Sequence, residues 1–307
     1  MKPAPMHRIK EFIEKIGHSI PSWVPLLARR MVLVTVLALI IWQIWNIGWD
    51  EVLHNLPVNP LFYVILVALY LTLPTAELLI YKHVWDIKKR QLFRTFLVKR
   101  VYNEELFGYS GELYLFKKMR GLTDKSDREI MRDVRDTNII SAIVSNSVAI
   151  VLVGILIFQG IIPLTEIIER TNTMYVLTGS IVAIILIVLI VQFRKHIFAM
   201  SIDKTVRVIW IYLTRFIIHH GLLVLQWAVV LPETPIQVWL VYISTIIVLN
   251  RIPFLPAKDL VFVWIGIQLS MSFDVASAGI AGMLIVSSAL TRITNLILYS
   301  VFSHKSI

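Results

Sequence analysis

The feature that most constrains this chain is a series of long apolar segments that recurs from residue 31 to residue 302. A soluble core cannot bury so many segments of roughly 15 to 25 residues, whereas a bilayer can accommodate them. Backbone groups in lipid must find partners within the protein, so membrane segments are helices or closed barrels. These segments lack the alternation of barrel strands. We therefore expect an all-α polytopic membrane protein.

Composition supports the same class. The 307 residues are 57% hydrophobic and 16% charged, against about 25% charged in typical soluble domains. The chain has no cysteine, which excludes disulfides and thiol chemistry. Its net charge of +10 is compatible in principle with nucleic acid, but the position of the charges in the loops gives a sufficient membrane explanation, and we expect no nucleic-acid partner.

The apolar segments predict about eight transmembrane helices within one membrane domain covering 31–302. The predicted spans are 31–49, 60–81, 138–158, 174–193, 206–231, 236–250, 260–273 and 275–302. Apolar residues at helical spacing before residue 21 predict an amphipathic helix at the membrane surface, so we define 1–30 as a cytoplasmic N-terminal segment. Residues 303–307 form a short cytoplasmic tail.

Orientation follows from the distribution of the 30 lysines and arginines. Nearly all of them lie in one set of segments, namely 1–30, 82–100, 117–135, 194–207, 251–258 and the C-terminal tail. The alternate loops contain a single basic residue, Arg170, beside several acidic ones. Because cytoplasmic loops carry the excess of basic residues, both termini are predicted to be cytoplasmic in a bacterial inner membrane.

Two hydrophobic segments are interrupted. Residues 101–116 have basic flanks at both ends and contain Gly108 and Gly111, which suit a chain reversal. Near 250–270, Pro253 and Pro256 prevent a regular helix. We therefore expect re-entrant segments in these two places. Paired interruptions of this kind often mark a binding site between structural repeats of a transporter.

Ionisable residues at membrane depth are costly and are functional candidates by default. Arg292 is the strongest, because it lies well inside the last span and shares a helix face with Asn295. It is a candidate cation for a lipid phosphate, or else a structural partner for Glu112 or Asp259. We expect Arg292 and Glu112 to face one cavity. The candidate substrate-binding residues are Arg100, Glu112, Arg215, Arg251, Lys258, Asp259, Arg292 and Asn295.

Several of these residues also have a simpler interpretation. Arg251 and Lys258 are equally suited to marking the cytoplasmic edge of the membrane. Arg215 shares a helix face with His219, and polar helix packing is the favoured reading of the histidines. His219 and His220 lack a third metal ligand at a suitable spacing, so no metal or cofactor is expected.

At the two interrupted segments the sequence resembles the membrane region of lysylphosphatidylglycerol synthetases, also called multiple peptide resistance factors, and their stand-alone relatives. The resemblance rests on Lys99-Arg100 leading into segment 107–112 (Phe-Gly-Tyr-Ser-Gly-Glu), and on Pro253 and Pro256 before a short apolar helix. An alanine-containing span at 275–289 and Arg292 complete it. The resemblance covers nearly the whole chain and implies lipid translocation between leaflets, or lipid binding.

The chain departs from that family in two places. The family's Pro-Gly-Gly-x-Gly is Pro256-Ala257-Lys258-Asp259-Leu260 here, and a glutamate expected shortly afterwards is missing near Val263. We find no counterpart of the aminoacyl-transferase domain of the bifunctional members in these residues, so the resemblance does not imply aminoacylation.

The leading functional hypothesis is a flippase-like transporter of a phospholipid or another anionic lipid. The alternative is a non-transporting scaffold that binds lipid or a partner enzyme, and a homo-oligomer is also compatible with the sequence. No G-x-S-x-G, P-loop, H-E-x-x-H or dinucleotide motif occurs. We therefore expect no catalytic residues, although a membrane-embedded lipid enzyme is a third and weaker hypothesis.

Overall fold

The computed structural model describes residues 23–82, 84–105, 110–158, 160, 200–252, 255 and 257–303. Every regular element in these residues is an α-helix, which confirms the all-α class. The helices are α1 (Trp23–Ile47), α2 (Trp49–His54), α3 (Pro60–Tyr81), α4 (Lys89–Glu105), α5 (Ser110–Arg120), α6 (Asp127–Phe158), α7 (Ile202–Val230), α8 (Ile236–Arg251), α9 (Lys258–Ser272) and α10 (Ser277–Ser303).

Four of these helices are long and apolar enough to cross a membrane. They are Pro60–Tyr81, Asp127–Phe158, Ile202–Val230 and Ser277–Phe302, and they coincide with four of the eight predicted spans. The predicted span at 174–193 lies outside the described residues, as do 1–22 and 304–307.

The other three predicted spans are helical but shorter in their apolar part. The apolar parts of α1 and α8 are Leu33–Ile47 and Ile236–Asn250. The whole of α9 has only 15 residues. At a rise of 1.5 Å per residue, 15 residues reach about 22 Å, short of the roughly 30 Å hydrocarbon core. α1 also begins at Trp23, so the predicted boundary at residue 30 falls inside one continuous helix.

Two hydrophobic cores hold the helices together. The first joins α1, α7, α8, α9 and α10 around Trp227, Trp239, Tyr242 and Phe262. The second joins α3, α4, α5 and α6 with the start of α7. In this second core the Tyr81 ring stacks on the rings of Trp85 and Phe96, at centroid distances of 4.3 and 5.3 Å. α7 contributes to both cores, so the bundle is continuous.

The first interrupted segment forms a helical hairpin. α4 and α5 pack against each other on either side of residues 106–109, which lie outside the described part. Gly111 permits the close approach, because a Cβ there would lie 2.3 Å from the carbonyl oxygen of Lys99. The Gly111 amide donates to Asn103 Oδ1 at 2.7 Å, and the Ser110 hydroxyl donates to the Tyr102 carbonyl at 2.6 Å. The basic stretch before residue 101 belongs to α4 itself.

The second interruption separates α8 from α9. Pro253 and Pro256 lie outside the described residues, but Ala257 precedes α9 with a φ of 49°. This left-handed conformation suits glycine better than alanine. Ala257 ends the interruption, and Asp259 in the first turn of α9 contacts Arg292 of α10.

Candidate functional site

A bidentate ion pair joins the start of α9 to the middle of α10. Arg292 Nη2 lies 2.7 Å from Asp259 Oδ1, and Arg292 Nε donates to Asp259 Oδ2 at 3.0 Å. The Ser288 hydroxyl donates to the same carboxylate at 2.5 Å. The planar fork of arginine matches a carboxylate in this geometry. Of the two partners suggested by the sequence, Asp259 is the one that the structure shows.

The same arginine reaches the other interrupted segment. Arg292 Nη1 lies 3.8 Å from Glu105 Oε2, at the end of α4. One turn further along α10, the Asn295 amide donates to Glu105 Oε1 at 2.8 Å and to Glu104 Oε2 at 2.9 Å. The two interruptions, which lie in different halves of the sequence, are therefore joined through polar side chains of α10.

Tyr70 of α3 and Arg100 of α4 extend these contacts. The Tyr70 hydroxyl donates to Asn295 Oδ1 at 2.5 Å, so the buried Asn295 amide is satisfied on both its oxygen and its nitrogen. Arg100 Nε donates to Glu104 at 2.7 Å, and its guanidinium lies 4.0 Å from the centre of the Tyr70 ring. Arg100 also donates to the Tyr70 carbonyl oxygen.

These contacts define what we call the break cluster. Its members are Tyr70, Arg100, Glu104, Glu105, Asp259, Ser288, Arg292 and Asn295. Three carboxylates against two guanidiniums leave one excess negative charge. The side chains of Arg292, Asp259 and Glu105 are 31%, 39% and 29% exposed, so a ligand can reach them.

An apolar groove adjoins the break cluster. It has a volume of about 320 Å³ and lies between α3, α4 and α10. Its lining includes Leu66, Val67, Leu97, Leu290 and Leu298 together with Tyr70, whose hydroxyl belongs to the break cluster. Val67 and Leu71 are exposed, so the groove opens to the outside of the bundle. Tyr70 is thus the boundary between a polar and an apolar compartment.

Glu112 belongs to a different set of contacts, which we call the buried triad. Lys99 binds Glu77 of α3 and lies 3.2 Å from Glu112 of α5. Glu77 and Lys99 are each 4% exposed, and Glu112 is 17% exposed. The two carboxylates flank the Lys99 ammonium and compensate the cost of burying its charge. Glu112 and Arg292, expected to face one cavity, therefore take different partners.

The other three predicted residues are not members of the break cluster. Lys258 donates to the Asn250 carbonyl at 3.1 Å, across the second interruption. Arg251 is the last residue of α8, and its side chain lies outside the described part. Arg215 lies in the middle of α7, and its buried Nε has no hydrogen-bond partner among the residues described.

The candidate substrate-binding residues predicted from the sequence did not include Tyr70, Lys99, Glu104 or Glu105. A signal for Lys99 was present, because it follows Leu92 and Phe96 at helical spacing and so falls on the buried face of α4. No comparable signal exists for Tyr70, which looks like an ordinary lipid-facing aromatic residue in an apolar span.

No protein-family model matches the chain, and neither a curated protein nor a solved structure is similar to it. In the part of the chain that it describes, the structure defines a class: an all-helical protein with four membrane-length helices. Within its described residues a polar cluster connects two interrupted hydrophobic segments.

Proposed function

We propose that this chain is a lipid-binding membrane protein of the flippase-like kind, with the break cluster as its headgroup site. The observation that carries the proposal is the adjacency of the break cluster to the apolar groove at Tyr70. A lipid needs both environments at once, a polar site for its headgroup and an apolar surface for its acyl chains. The groove opens to the side of the bundle, where acyl chains would enter from the bilayer.

The charge of the break cluster favours one type of headgroup. Arg292 is already neutralised by Asp259 and Glu105. A purely anionic headgroup would have to displace one of these carboxylates. A headgroup that carries an ammonium beside its phosphate would match the guanidinium and also satisfy the excess negative charge.

A non-transporting scaffold is the second candidate, and the Arg292–Asp259 pair itself favours it. Such a pair closes α9 against α10 and holds both interruptions in one arrangement. Transport would require these contacts to open. A scaffold, whether for a partner enzyme or a second copy of the chain, would keep them.

The headgroup site predicts a defined loss of binding in Arg292→Ala. Losing a charge-assisted contact of about 1.5–3 kcal/mol should weaken lipid binding about tenfold or more. The ion pair is about one-third exposed, so this variant should lose less stability than one that removes a buried charge, and thermal unfolding in detergent checks that it is folded. The lipid affinity of Arg292→Lys should lie between those of the wild type and Arg292→Ala, since lysine keeps the charge without the planar fork.

The measurement is retention of phosphatidylethanolamine by native mass spectrometry, with movement of the labelled lipid in liposomes measured in parallel. Arg132→Ala, an exposed arginine on α6 outside the break cluster, is the matched control. Binding without movement in the wild type would favour the scaffold. Wild-type binding by a well-folded Arg292→Ala protein would reject the headgroup site.

We further propose that the α4–α5 hairpin enters the membrane from the cytoplasmic side and that both termini are cytoplasmic. The hairpin has basic segments at both ends, as cytoplasmic flanks do.

Since the chain has no cysteine, single cysteines can report the side of the membrane. Arg90→Cys and Asp124→Cys, both exposed, should react with an impermeant thiol reagent from the cytoplasmic side only. Glu233→Cys, in the exposed turn between α7 and α8, should react from the opposite side. Labelling of positions 90 and 124 from opposite sides would mean that this segment crosses the membrane completely.

A further inference from the structure

Among the residues that the structure describes, none forms a hydrogen bond with the charged side chain of Arg215. It lies near the middle of α7, about 20 Å from each end of a membrane-length helix. In the described part of the chain it forms no ion pair, and its buried Nε makes no hydrogen bond. A guanidinium has five N–H donors and no acceptor. Donors left unfilled at membrane depth are costly, so the arginine needs an acceptor there.

Three basic side chains and one carboxylate lie in the surroundings of Arg215. Arg100 of α4 is close enough to repel it, and His219 and His220 follow it on α7. On the facing helix α3, the Thr72 hydroxyl lies 2.9 Å from His219 Nδ1. Glu77, also on α3, is a carboxylate within electrostatic range of Arg215, but Lys99 already binds it.

Long-range compensation does not remove this need for an acceptor. Lys99 and Arg215 together balance the charges of Glu77 and Glu112, so this region is neutral as a whole. Neutrality reduces the Coulomb cost of the arginine, but it supplies no oxygen atom to its N–H groups. Besides Glu77, the charged group that acts electrostatically on Arg215 is Arg100, which is also a cation. We therefore infer that the missing hydrogen-bond acceptor is negatively charged.

We propose that Arg215 is the centre of an oxyanion site between α3, α4 and α7, and that its ligand is a phosphate group. The planar fork of arginine binds two phosphate oxygens at once. Arg100, which also pairs with Glu104 in the break cluster, is a second cation within electrostatic range. A lipid phosphodiester and free phosphate share this chemistry. The site requires no transport activity and is separate from the Arg292–Asp259 pair.

The test uses the full chain, purified in neutral detergent without phosphate, with thermal unfolding as the readout. Inorganic phosphate is titrated at constant ionic strength. In a second arm, the protein is placed in nanodiscs of phosphatidylcholine with or without phosphatidylglycerol. The variants are Arg215→Gln and the matched control Arg207→Gln, which removes an exposed arginine near the start of the same helix.

We expect the anion to raise the unfolding temperature of the wild type and of Arg207→Gln. In Arg215→Gln the apparent affinity should fall at least about tenfold, the loss of one charge-assisted contact. Without anion, Arg215→Gln should be at least as stable as the wild type, because an unpartnered charge has been removed. If this variant does not fold, Arg215→Lys replaces it. If Arg215 binds an oxyanion, the anion should raise the unfolding temperature of Arg215→Lys less than that of the wild type. If Arg215 is only a structural charge, the two rises should be equal.

The two arms distinguish the sources of phosphate. A response to phosphatidylglycerol alone that depends on Arg215 assigns the site to a lipid, and a response to free phosphate alone assigns it to a soluble anion. Equal responses in the wild type and Arg215→Gln would overturn the proposal, as would a wild type that responds to neither.

Discussion

Replacing Lys99 by methionine should lower the free energy of unfolding by about 3–5 kcal/mol, the usual effect of removing one partner from a buried ion pair. Lys99 lies between Glu77 and Glu112, and Lys99 and Glu77 are almost fully buried. Without the ammonium, two carboxylates would face each other in a region of low dielectric constant. The variant should unfold at a much lower temperature in detergent and should lose its monodisperse peak in size-exclusion chromatography.

Two further variants separate charge from packing. Lys89→Met removes an exposed lysine from the same helix and should change stability little. Adding Glu77→Gln and Glu112→Gln to Lys99→Met should restore most of the loss, because the uncompensated charges are then gone. A Lys99→Met protein as stable as the wild type would show that the buried triad is not what holds α3, α4 and α5 together.

Introducing a single methyl group at Gly111 should have the next largest effect. A Cβ at this position would lie 2.3 Å from the Lys99 carbonyl oxygen and 2.8 Å from the Asn103 side chain. The carbonyl belongs to helical backbone and cannot move alone, so α4 and α5 must separate. Gly111→Ala should therefore destabilise the protein by about 3 kcal/mol, at the upper end of typical overpacking costs. The separation would also weaken the hydrogen bond from the Gly111 amide to Asn103.

Gly221→Ala is the matched control, because a Cβ there meets nothing within 4 Å. It should leave stability unchanged or raise it by up to about 1 kcal/mol, since alanine favours a helix more than glycine does. Thermal unfolding of both variants in one detergent measures the difference. An equal response from the two would mean that the hairpin is loose enough to accept a side chain at position 111.

Local properties of the sequence were sufficient for the class and for several elements. Continuous apolar residues predict α3 and the membrane-length parts of α6, α7 and α10, because hydrophobicity and backbone satisfaction act on each segment separately. The glycines after Glu105 and the prolines after Ile252 likewise predicted where helices are interrupted. The number of membrane spans was harder to predict from the sequence. The apolar part of α1 and the whole of α9 are too short to cross by themselves, and hydropathy alone did not separate them from full spans.

The choice of charged partners was decided only by the tertiary structure. Lys99 and Arg100 are neighbours in the sequence, yet successive residues of a helix point about 100° apart. One therefore faces Glu77 and Glu112, and the other faces Tyr70 and Glu104.

The sequence by itself determined that Arg292 needs a partner, because an arginine at membrane depth cannot remain unsatisfied. It did not determine which partner. Asp259 is 33 residues away, and Glu105 lies on a different helix. Only the packing of α4, α9 and α10 brings these carboxylates to Arg292 and leaves Glu112 with Lys99. Side-chain chemistry is a local property of the chain, but the distance between two side chains on different helices depends on how those helices pack.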